Sequence, residues 1–182
     1  MSFKKVRIEL LPAGTDPWID LESFDFRREI EAQQALYVLC QLYSLRGGCL
    51  RVAVGERDWA AGPAEMTTLL RNAPEILRRI QGEKVTELAF VDPGFGISFL
   101  ADPVDGLSMC LMSTGERVAL EATPKVFASM IFRVVEVFHR DVQMVSPRLA
   151  RSTVIRSWYR ECLDARDSRA TPDRSGGSGG AP

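Results

Sequence analysis

The chain has 182 residues, 46% hydrophobic, 8% aromatic and 26% charged, proportions of an ordinary globular domain that exclude collagen, mucin-like stalks and bulk disorder. Lys and Arg total 23 against 24 Asp and Glu, so no whole-molecule positive field exists to hold a polyanion, and general nucleic-acid binding is not expected. A polar Gly/Ser-rich tail is expected from Arg166 to Pro182, which leaves a single domain over residues 1–165, a size that buries about 70% of the surface its unfolded chain exposes.

Residues 3–11 alternate as a strand, with Phe3, Val6, Ile8 and Leu10 available to a core, until Pro12 and Gly14 end it. Arg7 and Glu9 interrupt any apolar run of signal-peptide length, so secretion by that route is not expected. Thr15 to Asp25 carries Pro17 and the acids Asp16, Asp20, Glu22 and Asp25, and reads as a surface segment. From Phe26 to Leu45 apolar residues recur at helical spacing, and Gly47-Gly48 offers a left-handed stop. Cys49 to Val54 reads as a short strand, followed by a charged loop, Gly55-Glu56-Arg57-Asp58-Trp59.

Gly62-Pro63 opens a helix whose apolar face is Met66, Leu69 and Leu70. Pro74 is expected to break it, making Ala73 to Ile80 a separate short helix ended by Gly82. Glu87–Val91, Ile97–Ala101, Leu107–Ser113 and Arg117–Ala122 read as strands joined by short turns, which favours an antiparallel meander over parallel crossovers. Thr123-Pro124 is a capped helix start, and the helix continues through Asp141 with Phe127, Met130, Ile131, Val134, Val135 and Phe138 able to pack. After Ser146-Pro147 a last helix, Arg148 to Leu163, sets Leu149, Val154, Ile155, Trp158, Tyr159 and Cys162 among Arg148, Arg151, Arg156 and Arg160. The apolar stretch Val126–Val145 contains Arg133, Glu136, His139, Arg140 and Asp141, so no membrane span is expected. The fold class that results is α+β, an antiparallel meander sheet of about four to six strands covered on one face by helices.

The chemistry-bearing residues are sparse. His139 is the single histidine, and any Ser-His-Asp or Cys-His mechanism must pass through it. Its place near a helix C-terminus, where a cation meets the dipole favourably, gives it a structural explanation. Cys40, Cys49, Cys110 and Cys162 are far apart and read as buried free thiols in a reducing cytoplasm. One histidine and scattered cysteines do not make a zinc pattern, and Asp102, Asp105 and Gly106 lack the rest of a calcium loop. Gly94-Phe95-Gly96 lacks the third glycine and following helix of a phosphate fingerprint. Glu56, Asp58, Asp92, Asp102 and Asp105 fall on expected loops and read as solvated turns. No catalytic residue, cofactor or metal is therefore expected.

What remains is a charge asymmetry. Six acids against two arginines lie between Asp16 and Glu31, around Trp18, Ile19, Leu21 and Phe24, and apolar anchors rimmed by like charge suit a protein docking surface. Trp59 is either a second anchor or a core staple. The expected partner-binding residues are Asp16, Trp18, Asp20, Glu22, Glu56, Asp58 and Trp59.

The order of a strand, a long amphipathic helix, a strand, the Gly62-Pro63 helix pair, a meander through Glu87 to Ala122 and the Thr123-Pro124 helix resembles small bacterial immunity proteins of polymorphic toxin systems, over residues 3–145. That resemblance implies a cytoplasmic α+β protein that neutralises a toxin domain by covering its active site or locking it inactive. It carries over no residue by position, since such families share no catalytic residues. The function expected is thus a non-enzymatic binding protein, with a protein partner for which a basic toxin domain suits the acidic segment. Two alternatives stay open: a small-molecule-binding protein or enzyme with a pocket between sheet and helices, and a structural or regulatory subunit, a homo-oligomer included, assembling through its C-terminal helix.

Overall fold

Alternation of apolar and polar residues positions the strands. The computed structural model describes residues 3–14, 32–92 and 95–168. β1 (Val6–Leu11) buries Val6, Ile8 and Leu10 and pairs antiparallel with β2 (Cys49–Val54), Ile8 opposite Val52. β2 pairs in turn with β3 (Arg57–Ala61), giving a three-stranded sheet of order β1-β2-β3. β4 (Thr86–Asp92), β5 (Phe95–Asp102), β6 (Gly106–Leu111) and β7 (Glu116–Ala119) form the expected antiparallel meander. Leu88, Phe90, Ile97, Phe99, Ala101, Leu107 and Met109 line its buried face.

Among the described residues the strands therefore number seven in two sheets, more than the one meander expected. A parallel bridge beside Leu120 joins the sheets: the Lys4 N–H donates to the Ala119 carbonyl at 3.1 Å, and the Glu121 N–H donates to the Lys4 carbonyl at 2.8 Å. This seats the start of the first sheet against the end of the second. Phe3, expected in the core, is 63% exposed. It shares the odd register of Arg7 and Glu9, and side chains two apart on a strand face the same way.

α1 (Ala32–Leu45) closes at Gly47, whose φ of +77° is a left-handed conformation that a Cβ would strain. The expected start of this helix at Phe26 lies outside the described residues. α2 (Pro63–Gln81) is one continuous helix, so Pro74 does not divide it as expected. Proline removes the N–H that would have bonded the Leu70 carbonyl, and the Trp158 indole N–H donates to that carbonyl instead, at 2.8 Å.

α3 (Pro124–Val145) starts as expected, the Thr123 hydroxyl accepting the Val126 N–H at 3.3 Å. The last expected helix is two: α4 (Pro147–Ala150) and α5 (Thr153–Asp167), the latter capped by Ser152, whose hydroxyl accepts the Ile155 N–H at 3.4 Å. A serine whose side chain bonds forward ends one helix and begins another more readily than it sits inside one. α5 runs to Asp167, into the stretch expected as tail, and residues 169–182 lie outside the described part.

α2 packs against α1, α3 and α5, and α3 crosses β1. Inside this packing the Tyr43 hydroxyl donates to Asp141 Oδ2 at 2.7 Å, while Arg140 donates to Asp141 Oδ1 at 3.1 and 3.2 Å. Burial, then the neighbouring Asp141 carboxylate, raise the Tyr43 pKa well above the usual phenol range. Among the described residues no helix is long and apolar enough to cross a membrane.

Candidate binding sites

Two surfaces gather the polar side chains that a ligand or partner would meet. The first is the β2–β3 hairpin. Gly55 and Glu56 are the central residues of its turn, since Val54 pairs with Arg57, and Gly55 has φ +60°, as a glycine-first two-residue turn requires. The stretch expected as a charged loop is thus partly strand: Glu56 lies on the turn, but Asp58 and Trp59 lie on β3.

Cross-strand geometry brings Arg51 diagonally over Asp58. Arg51 Nε donates to Asp58 Oδ1 at 3.0 Å and its Nη2 donates to Oδ2, and this pairing holds Asp58 below the usual carboxylate range. Arg51 also lies 3.8 Å from Glu9, which pairs with Arg7 at 3.4 Å, and Arg57 reaches Glu116 of β7 at 3.3 Å. The hairpin face is therefore a lattice of mixed charge. Its exposed pairs add little stability, but they neutralise Asp58 in place. Glu56 is exposed and has no ion pair among the described residues. Trp59, opposite Val52, is half-buried and packs against the core, the staple position with part of the ring open. Asp16, Trp18, Asp20 and Glu22 lie outside the described residues.

The second surface is an open cleft of about 430 Å³ lined by His139 and Gln143 of α3, Pro147 and Ala150 of α4, Arg151 at the α4 C-cap, and Arg156, Tyr159, Arg160 and Leu163 of α5. The cleft opens among helices, whereas the alternative reading of the sequence expected a pocket between sheet and helices. The His139 ring stacks on Tyr159, centroids 3.7 Å apart and planes 10° from parallel. Desolvation lowers the His139 pKa, which favours the neutral ring, whereas the helix-end position had suggested a cation. Among the described residues that line the cleft, none is an acid.

Other candidates have local roles. Asp102 Oδ1 accepts the N–H groups of Val104 at 2.7 Å and Asp105 at 3.1 Å, which ties up that carboxylate in its own turn. Phe95 and Gly96 belong to β5, and Gly94 lies outside the described residues. All four cysteines are free thiols; Cys40 and Cys162 are buried as expected, whereas Cys49 and Cys110 are half-exposed. Among the described residues no three His, Cys, Asp or Glu side chains cluster as metal ligands.

The described fold is thus a two-sheet α+β protein with a mixed-charge hairpin on one side and a cationic cleft among its helices. No family model, curated protein or solved structure matches the chain. Sequence reasoning missed the cleft, because the approach of His139 to Tyr159 is a tertiary contact. The four-residue spacing of Arg156 and Arg160, which puts both on one helix face, was the signal that could have found it.

Proposed function

We propose that this protein is a cytoplasmic binding protein that neutralises a protein partner, a cognate bacterial toxin domain, by direct equimolar contact. The observation that supports this reading is the composition of the β2–β3 hairpin: a half-buried Trp59 on a strand that pairs with β2, flanked by the exposed side chains of Glu56, Arg57 and Asp58. An aromatic fixed by core contacts on one side loses little freedom on binding, and charges at its rim set orientation and encounter rate.

Because Asp58 is clamped by Arg51, attraction to a basic partner rests on Glu56 and on the carboxylates Asp16, Asp20 and Glu22 of the acidic segment that follows β1 in sequence. Trp59→Ala removes the anchor and weakens the complex by about 2 kcal/mol, read by calorimetric titration with the toxin domain. Glu56→Lys slows association at low salt and leaves dissociation nearly unchanged, as a rim charge does. Unaltered affinity in Trp59→Ala, at unaltered stability, moves the contact surface elsewhere.

A further inference from the structure

We propose that the cleft between α3, α4 and α5 binds a small phosphate-bearing molecule, with its charged group on Arg151, Arg156 and Arg160 and its organic body against Tyr159, Pro147 and Leu163. This site is separate from the hairpin and does not depend on the toxin-neutralising reading.

Three observations converge. First, the arginines approach from two places: Arg151 from the α4 C-cap, Arg156 and Arg160 from adjacent turns of α5. Arginines held on separate elements around one cleft can offer guanidinium forks to different terminal oxygens of a phosphomonoester, whereas a planar carboxylate accommodates one fork well. Second, none of the three forms an ion pair among the described residues. Their charge is concentrated on a concave wall whose described lining holds no carboxylate, where field lines focus. Third, the remaining wall is apolar or aromatic, Pro147, Ala150, Tyr159 and Leu163, and the volume of about 430 Å³ lies within the range of small-ligand sites. A soluble organic phosphate fits this concave, two-sided lining better than a flat lipid surface does.

His139 supplies the readout. It is stacked on Tyr159 of α5 and shares the cleft with Arg151, Arg156 and Arg160, while Glu136, on its own helix, acts electrostatically on Tyr159 and Arg166. As the single histidine it gives one imidazole C2–H proton signal. An anion seated on the arginines stabilises the imidazolium, so binding and protonation are linked.

The test titrates the full-length protein with phenyl phosphate, inorganic phosphate, sulfate and a phosphoserine peptide while following that signal. Phenyl phosphate is expected to shift it saturably, to raise the His139 pKa, and to bind at least about tenfold more tightly than inorganic phosphate or sulfate. Arg156→Gln and Arg160→Gln, at exposed positions, are expected to abolish the shift with the unfolding midpoint unchanged. If one of them unfolds the chain, Arg151→Gln carries the same expectation. No saturable shift up to about 10 mM, equal weak binding of every anion (an adventitious ion only), a shift that persists in the folded arginine variants, or tighter binding of the phosphoserine peptide each overturns the assignment.

Discussion

The indole of Trp158 donates its N–H to the carbonyl of Leu70 at 2.8 Å, and Leu70 is the residue whose helical partner Pro74 cannot supply. A distant aromatic on α5 thus completes the interior of α2. Trp158 is buried, its ring edge-on to Phe138 with centroids 6.0 Å apart, so the carbonyl has no alternative access to water through that side chain. Replacing Trp158 by Phe keeps most of the ring and removes the donor. The expected loss is about 1–3 kcal/mol, the penalty of a buried acceptor left unmade plus a small cavity. Pro74→Ala restores a backbone N–H to Leu70, so the double variant recovers part of that loss in urea unfolding. Strict additivity of the two changes contradicts the coupling.

Tyr43 is held from two sides. An added Cβ at Gly48 would lie 2.2 Å from its ring carbons, so Gly48→Ala forces the ring away from Asp141 and destabilises by about 1–3 kcal/mol or more through overpacking. Tyr43→Phe relieves no clash but removes the 2.7 Å hydrogen bond to a buried carboxylate, a loss of about 1.5–3 kcal/mol. Thermal unfolding of both variants checks the pair, and a neutral Gly48→Ala contradicts the packing described.

The thiols divide by burial. Burial pushes the pKa of Cys40 and of Cys162 from 9.0 up to about 12. A raised folded-state pKa means the stabilising contribution is intact below about pH 9 and is lost as pH rises toward 12. Urea midpoints should therefore fall between about pH 8 and pH 10.5, and fall less in a Cys40→Ala, Cys162→Ala variant. In native protein a maleimide should label Cys49 and Cys110, which are half-exposed, and reach Cys40 and Cys162 only after unfolding.

His139 works in the opposite direction. Its folded-state pKa is lowered by desolvation, so the unfolded chain binds the proton better. Its contribution to stability is present above the ordinary imidazole pKa and declines as pH falls through and below about 6.5. His139→Gln should flatten that acid limb, as measured by unfolding midpoints between about pH 7.5 and pH 5. An unchanged acid limb contradicts the assignment.

Much of this fold was legible because its signals are local. Gly62-Pro63 and Thr123-Pro124 start helices for reasons contained in two residues, a fixed φ and the lack of an N–H at a position where none is needed. The meander was readable from its turns, and the core face of α3 from its spacing. Pro74 was misread because the rule that proline breaks a helix assumes the freed carbonyl finds no other donor, and the donor stands 88 residues away. β3 was missed since Arg57 and Asp58 look like loop residues until the register against β2 sets Asp58 opposite Ala53 and diagonal to Arg51. The Arg51 contact also neutralises one of the two carboxylates expected on the charged loop. The arginine cleft needed three helices in place before its lining came together.

The central claim, neutralisation by stoichiometric contact, is tested most directly by titrating the proposed toxin partner with this protein and following residual toxin activity. Contact predicts a linear fall that ends at one equivalent, with Trp59→Ala blunting the break. Full inactivation by a small fraction of an equivalent, or no inactivation at any ratio, contradicts it.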